Sequence, residues 1–160
     1  MRTAFFLLSI ALTAFQANAA LELKDEYGAW SHYESQDVTT GKPVIIGAAD
    51  AKSDGDVDTV ALRCTYEGVN LLFFKSMKRE EPGYKAKASI DNGDAFNMDV
   101  WVKGSTHWAT MPEKQIETAV KGEKLIVTLQ GTSDKEQVTV SLNGFEKMYQ
   151  VLAPTCKENV

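Results

Sequence analysis

Two cysteines, Cys64 in "ALRCTYEG" and Cys156 in "APTCKENV", and two histidines, His32 and His107, are the residues of this chain with the widest chemical repertoire. A thiol in such a strand-like setting serves as a nucleophile, a metal ligand, a core filler or half of a disulfide. A reactive thiol needs a histidine or a basic group held against it, and the chain has no Cys-x-x-Cys pair. A hydrolytic triad needs a histidine as base. Neither histidine stands in a G-x-S-x-G, an H-E-x-x-H or a phosphate-binding glycine loop. Both lie in strand-like stretches beside aromatic residues, "AWSHYES" and "STHWATM", the setting of a packed or surface histidine. The expectation is a protein without catalytic activity.

The acidic stretch "DAKSDGDVD" offers Asp50, Asp54, Asp56 and Asp58 as weak candidate calcium ligands. A calcium loop started at Asp50 puts Gly55 at its sixth position, but Lys52 at the third and Ala61 at the twelfth, where a bidentate Glu is required. A solvated strand connection is the expected reading, with no metal and no cofactor. No pair of carboxylates stands out for glycoside hydrolysis. The aromatic side chains carry more content. Trp30, Trp101 and Trp108, with Tyr33, are candidates for a surface that binds sugar or a protein partner, since large aromatics concentrate in binding hot spots. Trp101 is out of phase with Phe96, Met98 and Val100, so it faces outward if they face the core.

The compartment decides the cysteines. Residues 1–19, "MRTAFFLLSIALTAFQANA", combine a basic start at Arg2, an apolar run from Ala4 to Phe15 and an Ala17-Asn18-Ala19 exit, the pattern of a cleaved secretory signal. In an oxidising compartment two cysteines pair, so Cys64 and Cys156 are expected to form a disulfide. No other stretch approaches the ~20 apolar residues of a spanning helix, and membrane insertion is not expected. The 17 Lys and Arg against 22 Asp and Glu give a formal net charge of −5, one unit more negative once Arg2 leaves. That balance argues against nucleic acid as a partner. The nearest approach to a basic patch, Lys75, Lys78 and Arg79, is offset by Glu80 and Glu81.

The elements that must position these residues are mostly strands. "TVALRCTY" alternates Val60, Leu62, Cys64 and Tyr66 against Thr59, Ala61, Arg63 and Thr65, and "VNLLFFKS" follows the Glu67-Gly68 turn as the second arm of a hairpin. "YKAKASID" and "AFNMDVWV" flank Asn92-Gly93, where the positive φ of a tight turn is expected. "KLIVTLQG" and "EQVTVSL" pair around the turn Gly131 to Lys135, and "GAWSHYES" and "KPVIIGAA" are two earlier strands. Pro112 opens a short helix that Gly122 stops. A second helix starts near Asn143, carries Phe145, Met148, Tyr149 and Leu152, and is expected to end before Pro154, with Cys156 just beyond. These elements predict a mainly β, single antiparallel sandwich-like domain over 20–160, with two short helices and one disulfide.

The order of an early Trp30, Leu62-x-Cys64, Ile90-Asp91, Trp101, a helix, a strand pair and the closing "LNGFEKMYQVLAPTC" resembles the VasI and TagO family of type VI secretion-associated periplasmic proteins. "DVTTGKP" at Asp37 to Pro43 is similar to the polar segment after that family's first Trp, while "KREEPGY" and the Asn-Gly turn depart from it. The resemblance implies a Gram-negative periplasm and a non-enzymatic accessory role with a protein partner in the cell envelope. The alternatives are an inhibitor or immunity protein that blocks a cell-wall hydrolase or toxin, and a hydrolase acting through unrecognised carboxylates.

Overall fold

A computed structural model describes residues 20–75, 83–130 and 135–158. The expected signal segment 1–19, the charged residues Lys78, Arg79, Glu80 and Glu81, and the turn residues 131–134 lie outside the described residues. The elements follow in the order β1 (Glu22–Tyr27), β2 (Trp30–Gln36), β3 (Pro43–Ser53), β4 (Thr59–Thr65), β5 (Gly68–Phe74), β6 (Gly83–Ile90), β7 (Phe96–Lys103), β8 (Thr106–Thr110), α1 (Glu113–Lys121), β9 (Lys124–Gln130), β10 (Lys135–Ser141) and α2 (Phe145–Glu158).

Alternation makes the strands. On β9, Leu125, Val127 and Leu129 are buried while the residues between them are partly exposed, and on β7 Met98 and Val100 are buried between exposed Asn97, Asp99 and Trp101. Such strands have one apolar face to cover. The chain covers it by closing the sheet on itself.

The hydrogen-bonded order is β3-β10-β9-β6-β7-β8-β5-β4, and β4 pairs back onto β3, giving a closed eight-stranded antiparallel barrel. This overturns the expected sandwich. Period-2 patterning is common to both architectures, and closure rests on β3. One edge of this eleven-residue strand pairs with β2 along Pro43–Ala49 and with β10 along Ala51–Ser53, while β4 pairs along Gly47–Asp50. The β1–β2 hairpin extends from the ring. β1 was not legible as a strand because its sequence, ELKDEY, is almost wholly polar and exposed.

Eight strands enclose a space that side chains can fill, and here Leu62, Leu71, Met98, Leu125 and Leu129 fill it with no exposure. The helices close one end. Phe145, Met148 and Leu152 of α2 are fully buried, and Phe145 meets the Trp30 ring edge-on at 5.7 Å. Trp30 Nε1 donates to the Ser141 carbonyl at 3.0 Å. A Cβ on Gly47 would stand 2.9 Å from Met148 Cγ, so glycine there admits the helix. The expected disulfide is present: Cys64 and Cys156 are bridged with Cα atoms 5.1 Å apart, clipping α2 to β4.

Three local expectations are corrected. α2 runs through Pro154, so Cys156 lies inside the helix. The buried Leu152, the bridge, and the Thr155 hydroxyl donating to the Leu152 carbonyl at 2.7 Å hold the last turn. In the β6–β7 connection the positive φ belongs to Asp91 (52°), whose carboxylate accepts from the Glu123 and Lys124 amides at 3.0 Å each. Asp50 lies on β3 and not in a loop, because β3 extends to Ser53 to reach β10.

Candidate binding face

Strand register brings two of the three predicted tryptophans together and removes the third. Trp101 on β7 stands opposite Trp108 on β8, and Trp101 is 50% exposed. Trp30 is fully buried, because its phase on β2 turns it inward against Phe145. It is a core residue and cannot contact a partner. The outward phase continues from Trp108 to Leu72, Ala61 and Ala48 on the next strands, where Leu72 and Ala61 are nearly covered, at 8% and 7% exposure. Phe74, the next outward position of β5, is 47% exposed. Lys103 Nζ sits 5.3 Å from the Trp108 ring centroid, a cation–π contact. The result is an aromatic stripe on the barrel wall. Phe74 belongs to it although "VNLLFF" reads as continuous core.

On the other side of Trp101 lies Gly83 of β6. Gly83, Tyr84, Lys85, Asp99, Val100 and Trp101 line a shallow cavity of 370 Å³. Lys85 Nζ donates to Asp99 Oδ1 at 2.6 Å at its rim.

The histidines are interior. His107 is 1% exposed, and its Nδ1 lies 2.8 Å from the Tyr84 hydroxyl. His32 is 6% exposed and stacks on Tyr27. Its Nε2 is 3.3 Å from Glu34 Oε1, in range for an ion pair once protonated but misaligned for a hydrogen bond. A phenol against one imidazole and a carboxylate off the axis of the other do not make a nucleophile–base–orienter chain.

Asp50 stands exposed on β3, and the other three aspartates tie their loop to its neighbours. Asp54 Oδ1 accepts from the Gln137 amide at 2.7 Å, the Asp58 carbonyl accepts from the Ala51 amide at 2.8 Å, and Asp56 Oδ1 lies 3.5 Å from Lys75 Nζ. Among the described residues no three of His, Cys, Asp and Glu converge as metal ligands. One polar cluster had no signal in the sequence. Lys75 pairs with Glu136, both nearly buried, and Glu136 Oε1 accepts from the Val57 amide at 2.9 Å. Glu136 shares the inward phase of Val138 and Val140, which a charged residue in an exposed-looking "KEQ" conceals.

The fold and this face define a closed β-barrel with a filled interior and an aromatic outer wall. Among solved structures, the crystal structure of invasion associated protein B from Bartonella henselae is similar to it, with a TM-score of 0.58 over 85% of this chain and 99% of that one, at 16% identity. At that identity the likeness shows the fold. No family model matches the chain, and no curated protein matches it in sequence.

Proposed function

We propose that the protein is an exported, non-enzymatic binding protein of the bacterial cell envelope that docks a protein partner on the stripe formed by Trp101, Trp108 and Phe74. The observation that carries this reading is the pair of half-exposed aromatics, Trp101 and Phe74, beside the partly exposed Trp108 on one barrel face. Rigid aromatics lose little entropy on contact and dominate interface energetics. The disulfide is in keeping with export into an oxidising compartment. The likeness of the sequence to the VasI and TagO family supports a secretion-machine component in the Gram-negative periplasm as that partner. The structural neighbour's name, which associates it with invasion, supports a partner-facing role.

A second reading, inhibition of a basic cell-wall hydrolase, has the exposed acidic β1–β2 hairpin in its favour, where Glu22, Asp25 and Glu26 are exposed and Glu34 half-exposed. A photo-cross-linking residue at Thr106, beside Phe74, and another at Lys147 on α2 separate these readings in living cells. The stripe reading expects one discrete protein adduct from 106, lost on Trp101→Ala with Phe74→Ser, and none from 147. A further cross-linking residue at Leu23, exposed on the β1–β2 hairpin, favours the second reading if it forms an adduct with a wall hydrolase. Purified protein that degrades a wall polymer, and stops doing so on His107→Ala, overturns both.

A further inference from the structure

Charge is not spread evenly over this acidic chain. The outward positions of β6, β7 and β8 carry Lys85, Lys87 and Lys103 against one carboxylate, Asp99. Acidic side chains gather on the β1–β2 hairpin and at Asp50, Asp54, Asp56 and Asp58, and Asp91 and Asp94 stand in the β6–β7 turn, at the far end of these strands from Gly83 and Trp101. No run of basic residues announces this face, since its lysines alternate with inward residues on separate strands. Among the described strand positions this face is thus net basic, on a chain that is net acidic.

We propose that the slot on the β6 side of Trp101 binds a carboxylate-bearing glycan, with one sugar ring stacked on the indole and its anionic group held by the flanking lysines. Three features of the slot carry this. First, Gly83 leaves its floor open: a Cβ there would stand 2.9 Å from the Val100 carbonyl oxygen and 3.7 Å from Trp101 Cε3. The half-exposed indole is thereby left as one wall of a 370 Å³ cavity, within the size range of small-ligand pockets. Second, an indole face is electron-rich and attracts the C–H groups that line one side of a sugar ring. Third, the rim offers a donor and an acceptor side by side in Lys85 and Asp99. Sugar hydroxyls both donate and accept, so such a pair serves them fully.

The flat indole face decides between anionic partners: a sugar ring lays one side of C–H groups on it, whereas an acidic peptide or an anionic membrane offers no such ring. The slot shares Trp101 with the docking face but lies on its β6 side, so Lys85→Gln and Lys87→Gln test the slot without touching Trp108 or Phe74.

The test is titration of the oxidised protein with hexagalacturonate at low salt, followed by Trp fluorescence and calorimetry. The expected result is saturable binding that weakens as salt rises, with the neutral chitohexaose at least about tenfold weaker. Trp101→Ala and Lys85→Gln each weaken it by about tenfold. Lys87 is exposed on β6, so Lys87→Gln is expected to keep the fold, and it lowers affinity and flattens the salt dependence. Absence of saturable binding overturns the proposal, as does affinity unchanged by Trp101→Ala or equal affinity for chitohexaose. Tighter binding to phosphatidylglycerol vesicles or to poly-glutamate than to hexagalacturonate also overturns it.

Discussion

Lys75 and Glu136, 61 residues apart in sequence, are joined by a salt bridge inside the end of the barrel opposite the helices, each less than one-tenth exposed. Glu136 also accepts from the Val57 amide, and Gly55 packs against its carboxyl group. The loop that carries Asp54 and Asp56 is thereby fastened over the barrel mouth. Removing one member leaves the other charged and buried, which costs about 3 to 5 kcal/mol. Glu136→Ala is therefore expected to lower the denaturation midpoint sharply, whereas Lys75→Met combined with Glu136→Leu recovers most of the loss. Urea unfolding of the three proteins checks this, and equal instability of the single and double variants contradicts it.

The Cys64–Cys156 bridge closes a span of 92 residues. Chain-entropy estimates give a cross-link of that span about 4 to 5 kcal/mol. Replacing both cysteines with serine is expected to lower Tm by roughly 10 °C or more. Calorimetry of the oxidised protein and the double variant reads the difference directly. An unchanged midpoint would show that the packing of Phe145, Met148 and Leu152 holds α2 without help.

Gly144 has φ of 85°, and a Cβ on it would run into the Tyr27 carbonyl. It sets the entry of α2 beneath the β1–β2 hairpin, where the Ala29 amide donates to the Asn143 carbonyl at 2.9 Å. Gly144→Ala is expected to destabilise by more than the ~1 kcal/mol of a simple left-handed penalty, because the hairpin must also move. Thermal unfolding measures the cost, and hydrogen exchange at Ala29 reports the displaced hairpin.

Asp37 is held below its ordinary carboxyl pKa of 3.8, first by the Thr40 amide, then by the Thr39 amide and the Thr40 hydroxyl, with Arg63 adding a smaller attraction. A carboxyl depressed on folding adds stability above its unfolded pKa and loses it as pH falls through the lower folded value. The turn after β2 is thus expected to hold at neutral pH and to loosen only in strong acid, below the ordinary carboxylate range. Amide shifts of Thr39 and Thr40 followed by NMR should titrate there, and Asp37→Asn should abolish the transition while keeping an acceptor. A transition at or above the ordinary value contradicts the assignment.

The sequence by itself determined what local chemistry controls. Alternation on β4, β6, β7, β9 and β10 followed from the two-residue repeat of side chains, and α1 from Pro112 and Gly122 at its ends. The outward aim of Trp101 was a matter of phase along one strand. The export pattern of residues 1–19 and the count of two cysteines together made the pairing of Cys64 with Cys156 the expectation, and the bridge is present. Tertiary structure decided everything that depends on which strands become neighbours. Barrel and sandwich share one pattern, and only the double pairing of β3 with β4 and β10 closes the ring. Trp30 and Trp108 have similar aromatic surroundings in sequence, yet inward phase against α2 buries one and register with Trp101 places the other on the wall. Pro154 ends a helix by local rules, and the bridge at Cys156 keeps it in one. Lys85, Lys87 and Lys103 become a basic face, and Lys75 and Glu136 a buried pair, because cross-strand neighbours are set by long-range hydrogen bonding that no short window of sequence contains.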